Sequence, residues 1–167
     1  MQLNRQWIER YIPHAGRMCL LDEVLEWDAN RIVCRSSTHR DVDNPLRVNG
    51  TLGAACGIEY AAQAMAVHGA LIATARVVPT TLATPQPQVG YIAAVRGVSL
   101  LVSRLDDVGE DLLATATRVH SDASTALYEF VVEPRLTHAD GALPQHSQTP
   151  GGNHPLLRGR VTLVFPS

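Results

Sequence analysis

A long alanine-rich segment is the feature that most limits how this chain can fold. Nine of the 24 residues in 52–75 are alanine, and Thr51, just before them, is a residue type that caps helix N-termini. Because small side chains occupy several faces of the predicted helix, neighbouring backbone can approach it closely all round, as when a sheet curls about a central helix. Glu59, Gln63 and His68 interrupt the apolar run, so we expect a core helix and no membrane span.

The segments on either side of this helix predict an antiparallel sheet and therefore an α+β fold. Apolar residues at helical spacing in 4–12 predict a short first helix, which Pro13 ends. Segments 18–27 and 31–38 flank the turn-forming residues 28–30 and predict a β-hairpin. Four later segments rich in Val, Leu, Thr and Tyr predict an antiparallel meander. They are 89–102, 111–120, 125–133 and 160–165.

Three segments carry the composition of loops. Residues 39–50 and 76–90 contain prolines and no periodicity, so they are predicted to lead into and out of the long helix. Residues 134–156 are rich in Pro, Gly and His and are predicted to be a mobile insertion between the last two strands. The insertion's histidines are spaced by eight, which fits no single face, so we interpret them as loop residues rather than metal ligands. They are His138, His146 and His154.

Length and composition exclude several classes of protein. The 167 residues are enough for one domain over 1–167, and 46% hydrophobic against 18% charged residues argues against disorder. A net charge of -2 argues against the positively charged surface that binding nucleic acid requires. Three cysteines without CxxC or Cys/His spacing argue against disulfides and zinc, and we expect no cofactor. Residues 1–15 hold no apolar run, so no secretory signal is predicted and a cytoplasmic location is expected.

Glu59 is the carboxylate of the long helix, and it is the first candidate for chemistry. A buried carboxylate must find partners, shift its pKa or open onto a cavity. Gln63, four residues on, lies on nearly the same face and can hydrogen-bond it, whereas His68 lies on the opposite face. The alternative is that Glu59 and Gln63 mark a solvated stripe of the helix.

Histidine could supply the second half of an acid–base pair, since it titrates near neutral pH. His14 lies between Pro13 and Gly16, just before the first predicted strand. His39 follows the second strand and is expected to be an exposed strand-end residue, with a catalytic role as the alternative. No GxSxG motif or phosphate-binding glycine loop occurs, and Cys56 has no base near it in the sequence.

Two separated motifs give the sequence a family resemblance. The first is IPHAGRMCLLDEV at 12–24, and the second is GIEYAAQA at 57–64. Together they resemble the hotdog-fold 3-hydroxyacyl-[acyl carrier protein] dehydratases, most closely the branch associated with aryl polyene pigment and lipid synthesis. The similarity continues through GYI at 90–92, VGED at 108–111 and LRGRVTL at 157–163, and covers roughly 12–133 and 157–165.

The resemblance implies a central helix wrapped by an antiparallel sheet, and an active site at the interface of a homodimer or heterodimer of hotdog subunits. It implies a thioester substrate on acyl carrier protein or CoA, dehydrated to a trans-2-enoyl product. We assign the base to His14 and the acid to Glu59. Gln63 and backbone N–H groups near Gly53 and Gly57 would bind the substrate.

One departure from the family pattern keeps two alternatives open. Where better-known members carry His-Phe-Pro before the helix, this chain reads Asp43-Asn44-Pro45. The histidine role therefore rests on His14 or His39, and a catalytically silent partner subunit of an active dehydratase is one alternative function. A thioesterase, with Glu59 activating water, is the other.

Overall fold

The computed structural model describes residues 2–75, 90–136 and 154–166. It contains two α-helices, α1 (Arg5–Tyr11) and α2 (Gly57–Ala75), and six strands. The strands are β1 (Glu23–Trp27), β2 (Arg31–Ser36), β3 (Tyr91–Leu100), β4 (Leu112–Ser121), β5 (Thr125–Pro134) and β6 (Leu157–Val164). Short 3₁₀ turns lie at Gly16–Met18, Thr38–Arg40 and Ala54–Cys56.

All six strands join one antiparallel sheet in the order β1-β2-β4-β5-β6-β3. The predicted hairpin of β1 and β2 is confirmed, with Asp28 holding its turn through hydrogen bonds from Asn30 and Arg31 N–H. The predicted meander is right for β4, β5 and β6 and wrong for β3. Because β2 already occupies the free edge of β4, β3 pairs with β6 instead and becomes an edge of the sheet.

The long helix packs against one face of this sheet, so the fold class predicted from the sequence is confirmed. Alternate residues of β4 and β5 are buried toward it, as the two-residue period of a strand requires. Small residues permit close approach: a Cβ on Gly57 would lie 2.5 Å from Cδ2 of Leu157 in β6. The helix backbone at Gly57 therefore packs directly against the Leu157 side chain.

His68 fixes the C-terminal half of α2 to the sheet. It is fully buried, and its Nε2 donates to the carbonyl of Asp28 at 2.8 Å. Its Nδ1 therefore accepts from the Tyr128 hydroxyl, 2.9 Å away. Burial lowers the pKa of His68 and raises that of Tyr128 to about 12. His68 is a core residue of the helix face turned to the sheet.

The N-terminal boundary of the long helix differs from the prediction. The α-helix begins at Gly57 after a 3₁₀ turn, and the Thr51 hydroxyl does not cap it but donates to the carbonyl of Val48. Asp106 takes the fixing role, since its carboxylate accepts the N–H of Leu52 at 3.0 Å. Hydrogen bonds from Arg104 hold the pKa of Asp106 well below its ordinary value.

Two of the predicted loops fall largely outside the described residues. Residues 76–89 of the loop predicted at 76–90, and residues 137–153 of the insertion predicted at 134–156, are not described, and His138 and His146 lie among them. His154 is described and is exposed. Within the described ranges, no helix is long and apolar enough to cross a membrane.

Candidate active site

Glu59 lies in the first turn of α2 with its side chain partly exposed. Its Oε1 atom is 3.2 Å from Nε2 of His14 and 3.0 Å from Nε2 of Gln63. The i, i+4 contact with Gln63 follows from helix geometry, as the sequence indicated. The contact with His14 is tertiary and joins a loop to the helix.

Gln63 is fully buried and connects three parts of the site. Its Oε1 accepts the N–H of Leu20 at 2.8 Å, while its Nε2 donates to the carbonyl of Met18 at 2.8 Å and to Glu59. These bonds explain why the strand predicted at 18–27 begins only at Glu23. At Met18 and Leu20 the backbone pairs with a side chain of α2, and pairing with β2 begins only with the N–H of Asp22, which donates to the Arg35 carbonyl.

His14 lies in the loop between α1 and the 3₁₀ turn Gly16–Met18. Two features fix this loop: Gly16 has a φ of 57°, and Arg5 donates to the carbonyls of Gly16 and Cys19 at 3.0 and 2.6 Å. The imidazole is partly exposed, yet its Nδ1 atom is buried and has no hydrogen-bond partner among the described residues. His14 is thus held so that Nε2 meets Glu59.

His39, the alternative histidine, lies elsewhere in the fold. The expectation that it is exposed at a strand end is wrong: it lies in the 3₁₀ turn Thr38–Arg40 and is fully buried. Its Nε2 donates to the carbonyl of Val108 at 3.0 Å, and burial lowers its pKa. This hydrogen bond gives the buried imidazole a partner on the segment that follows β3. His39 forms no described contact with Glu59.

In the segment that departs from the family motif, Asn44 enters the core while Asp43 and Pro45 are exposed. Asn44 is buried and donates to the carbonyl of Thr38 at 2.9 Å and to the Tyr60 hydroxyl at 3.0 Å. The Thr38 and Tyr60 hydroxyls are 3.1 Å apart, and burial raises the pKa of Tyr60 to about 12. Sequence reasoning missed this network, because a polar residue next to a proline reads as a turn signal.

The two glycines predicted near the helix N-terminus have different surroundings. Gly53 is the N-cap of the 3₁₀ turn Ala54–Cys56 and is partly exposed. Gly57 is buried, and its N–H already donates to the carbonyls of Ala54 and Ala55. In the part of the chain that the structure describes, no group of three or more His, Cys, Asp or Glu residues could hold a metal ion.

A long helix packed on one antiparallel sheet of six strands is the architecture of a hotdog-fold protein, and here a glutamate, a glutamine and a histidine meet at the first turns of the helix. More specifically, the chain belongs to the ApeP-like dehydratase family. The model of that family, described as ApeP dehydratase, matches residues 6–146. The family resemblance inferred from the sequence is therefore confirmed.

Solved structures agree on the fold. The dehydratase heterocomplex ApeI:P from Xenorhabdus doucetiae matches at a TM-score of 0.71 and 22% identity, over 96% of this chain and 91% of that chain. The zebra fish thioesterase superfamily member 2 matches at a TM-score of 0.56 and 16% identity, over 97% of this chain and 95% of that chain. AziG from S. sahachiroi matches at a TM-score of 0.52 and 15% identity, over 86% of this chain and 89% of that chain. No curated protein matches the sequence.

Proposed function

We propose that this protein is a 3-hydroxyacyl-thioester dehydratase, with the substrate carried on acyl carrier protein or CoA, in the synthesis of fatty-acid or polyene-type lipids or pigments. The observation that carries the proposal is the contact of His14 with Glu59, 3.2 Å long, in a chain of a dehydratase family. Dehydration of a 3-hydroxyacyl thioester removes a proton from C2 and delivers one to the departing 3-hydroxyl. A pair of proton-carrying side chains in contact suits both transfers.

The N-terminal end of α2 is proposed to receive the thioester carbonyl. Backbone N–H groups at a helix N-terminus favour the negative charge that develops on that oxygen when C2 loses its proton. Two glycines border this end: Gly57, two residues before Glu59, and Gly53, six residues before it. Since the N–H of Gly57 donates within the helix start, Gly57 would contribute mainly by the absence of a side chain, and Gly53 by its N–H.

We also propose that the protein works as a homodimer or as a heterodimer with a related hotdog subunit. Strand β3 is a sheet edge, and most of its large apolar side chains are exposed. An unpaired apolar edge is a liability that pairing with a second subunit removes. The relative from Xenorhabdus doucetiae is described as a heterocomplex, which supports pairing between unlike subunits.

Mass spectrometry of a 3-hydroxyacyl thioester incubated with the pure protein tests the proposed activity. Loss of one water from the acyl chain is the expected result, and Glu59→Gln should abolish most of it. Release of the free acid would identify a thioesterase instead. A substrate that is unchanged by the pure protein and is dehydrated only with a co-expressed hotdog subunit, with Glu59→Gln making no difference, would contradict catalysis by this chain and favour the silent-partner function.

A further inference from the structure

The orientation of the Gln63 amide is fixed by the backbone. The N–H of Leu20 needs an acceptor and the carbonyl of Met18 needs a donor, and both lie 2.8 Å from the amide. The amide oxygen must therefore face Leu20, and the NH₂ group must face Met18. The second hydrogen of that NH₂ group points to Oε1 of Glu59, 3.0 Å away.

This orientation makes Oε1 of Glu59 a hydrogen-bond acceptor. His14 Nε2 approaches the same oxygen at 3.2 Å. If Glu59 were protonated on Oε1, the hydroxyl would donate to His14, and His14 would have to carry its own hydrogen on Nδ1. That atom is buried without a partner in the described chain, and a buried N–H left without an acceptor is destabilising.

The alternative leaves no buried N–H unsatisfied. A neutral His14 with its hydrogen on Nε2 donates to an ionised Glu59, and Nδ1 keeps only a lone pair. The imidazolium form, like the Nδ1–H tautomer, would place an N–H on the buried Nδ1 atom. In this arrangement Oε1 accepts from both His14 and Gln63, whereas no described group donates to Oε2 of Glu59.

We infer that Glu59 carries both protons of the dehydration through Oε2, and that His14 is a positioning residue that donates Nε2–H to Oε1. This inference rests on the proposed function. It gives both the base and the acid role to Glu59, whereas the assignment made from the sequence gives the base role to His14. Oε2 takes the proton from C2, the electron pair forms the C2–C3 double bond, and the C3–O bond breaks. The same oxygen then gives its proton to the departing hydroxyl, which leaves as water, and Glu59 is a carboxylate again.

A single oxygen can serve both steps only when the C2 hydrogen and the 3-hydroxyl leave from the same side of the chain. The elimination should therefore be syn. A substrate stereospecifically deuterated at C2 distinguishes the two geometries, because the deuterium is lost from one epimer and retained in the other. If the deuterium is retained in the epimer that a syn elimination would strip of it, the elimination is anti. That result would overturn the inference while leaving dehydration itself established.

Variants of His14 separate a hydrogen-bond donor from a proton carrier. The Nε2 amide of His14→Gln can donate to Glu59 but cannot accept a proton, whereas His14→Ala does neither. We expect His14→Gln to recover most of the kcat lost in His14→Ala and to lie within about tenfold of the wild type. If His14 is the base, both variants lose roughly 10²- to 10⁴-fold alike, and the inference is wrong.

Nitrogen-15 NMR of the wild-type imidazole provides a readout that does not depend on turnover. The His14 signals, assigned by their absence in His14→Gln, should show hydrogen on Nε2 and none on Nδ1. Hydrogen on Nδ1 would overturn the inference even in an active enzyme. A wild type inert on every thioester would instead end the proposed function, and the role given to Oε2 would end with it.

Discussion

Oε1 of Glu59 lies between two nitrogen atoms, His14 Nε2 at 3.2 Å and Gln63 Nε2 at 3.0 Å. The helix supplies one of these contacts by spacing alone. The other depends on the loop that Gly16 and Arg5 fix, and Gln63 holds the backbone that follows this loop, through Met18 and Leu20. One buried glutamine thus contacts the carboxylate and also anchors the segment next to the histidine's loop.

Replacement of Glu59 tests the proton-carrying group. Glu59→Gln keeps the shape and should leave the fold intact, but it should lower kcat by roughly 10²- to 10⁴-fold, because a positioned acid or base contributes that much. The measurement is product formation by mass spectrometry together with a thermal melt. Glu129→Gln, an exposed carboxylate on β5, is the matched control and should keep full activity. Near wild-type turnover in Glu59→Gln would show that the site is misplaced.

Replacement of Gln63 tests its structural role. Gln63→Leu fills the space but leaves the Leu20 N–H buried without a partner and removes the donors to the Met18 carbonyl and Glu59, so the free energy of unfolding should fall by about 2–5 kcal/mol. Urea denaturation measures this loss. Gln63→Glu should also destabilise, since it can accept from Leu20 but cannot donate to Met18 and sets a second carboxylate beside Glu59. A loss below about 1 kcal/mol in both variants would contradict the arrangement.

Stability should fall on mild acidification because two histidines are buried. Burial lowers the pKa of His39 and of His68. The unfolded chain takes up protons near the ordinary value of about 6.5, before the folded chain does, so stability is full above that pH and is lost as pH falls through the folded pKa values. Urea denaturation at about pH 7.5 and about pH 5.5 measures the change. The same free energy of unfolding at both would refute the prediction.

His39→Gln is the control for this pH dependence. Its amide can still donate to the carbonyl of Val108 but does not titrate, so the difference between the two pH values should shrink. The lowered pKa values of Asp106 and Asp111 do not interfere, because their contribution is lost only as pH falls below about 4.

The close contact of α2 with β6 predicts strong coupling between Gly57 and Leu157. Gly57→Ala places a methyl group 2.5 Å from Leu157 Cδ2 and should cost about 1–3 kcal/mol, since the buried leucine must move. Leu157→Ala alone should cost about 2–5 kcal/mol. The double variant should be more stable than the sum of the two losses implies, by at least about 1 kcal/mol in urea denaturation. Simple additivity would show that the leucine moves freely.

Local patterns predicted the elements and the chemistry of the site well. The i, i+4 spacing of Glu59 and Gln63 gave their contact, and the residues around Asp28 gave the hairpin turn. These features depend on neighbours in the sequence. The family motifs then pointed to His14, whose contact with Glu59 no local pattern contains.

What escaped prediction depends on contacts between distant segments. Strand β3 lies at the edge because β2 pairs with the side of β4 that β3 would otherwise take. The residues of β3 alone do not reveal this. From the sequence, His39 is expected to be exposed and Asn44 to lie in a loop, because polar side chains usually do, yet both are buried and donate to carbonyls, of Val108 and of Thr38 respectively. Such pairing becomes visible only in the folded chain.

The exposed edge strand β3 makes the proposed assembly testable. Ile92 and Leu100 lie near its two ends and are 44% and 49% exposed. Charges on an edge strand prevent pairing with another strand, so we expect the wild type to be dimeric in light scattering and Ile92→Lys with Leu100→Lys to be a monomer of 18.1 kDa. Val119→Lys, at an equally exposed position on β4, is the control and should remain dimeric.

Turnover should fall together with assembly, because the proposed active site lies at the subunit interface. A double variant that stays dimeric, or that is monomeric and fully active, would contradict the proposed role of this edge.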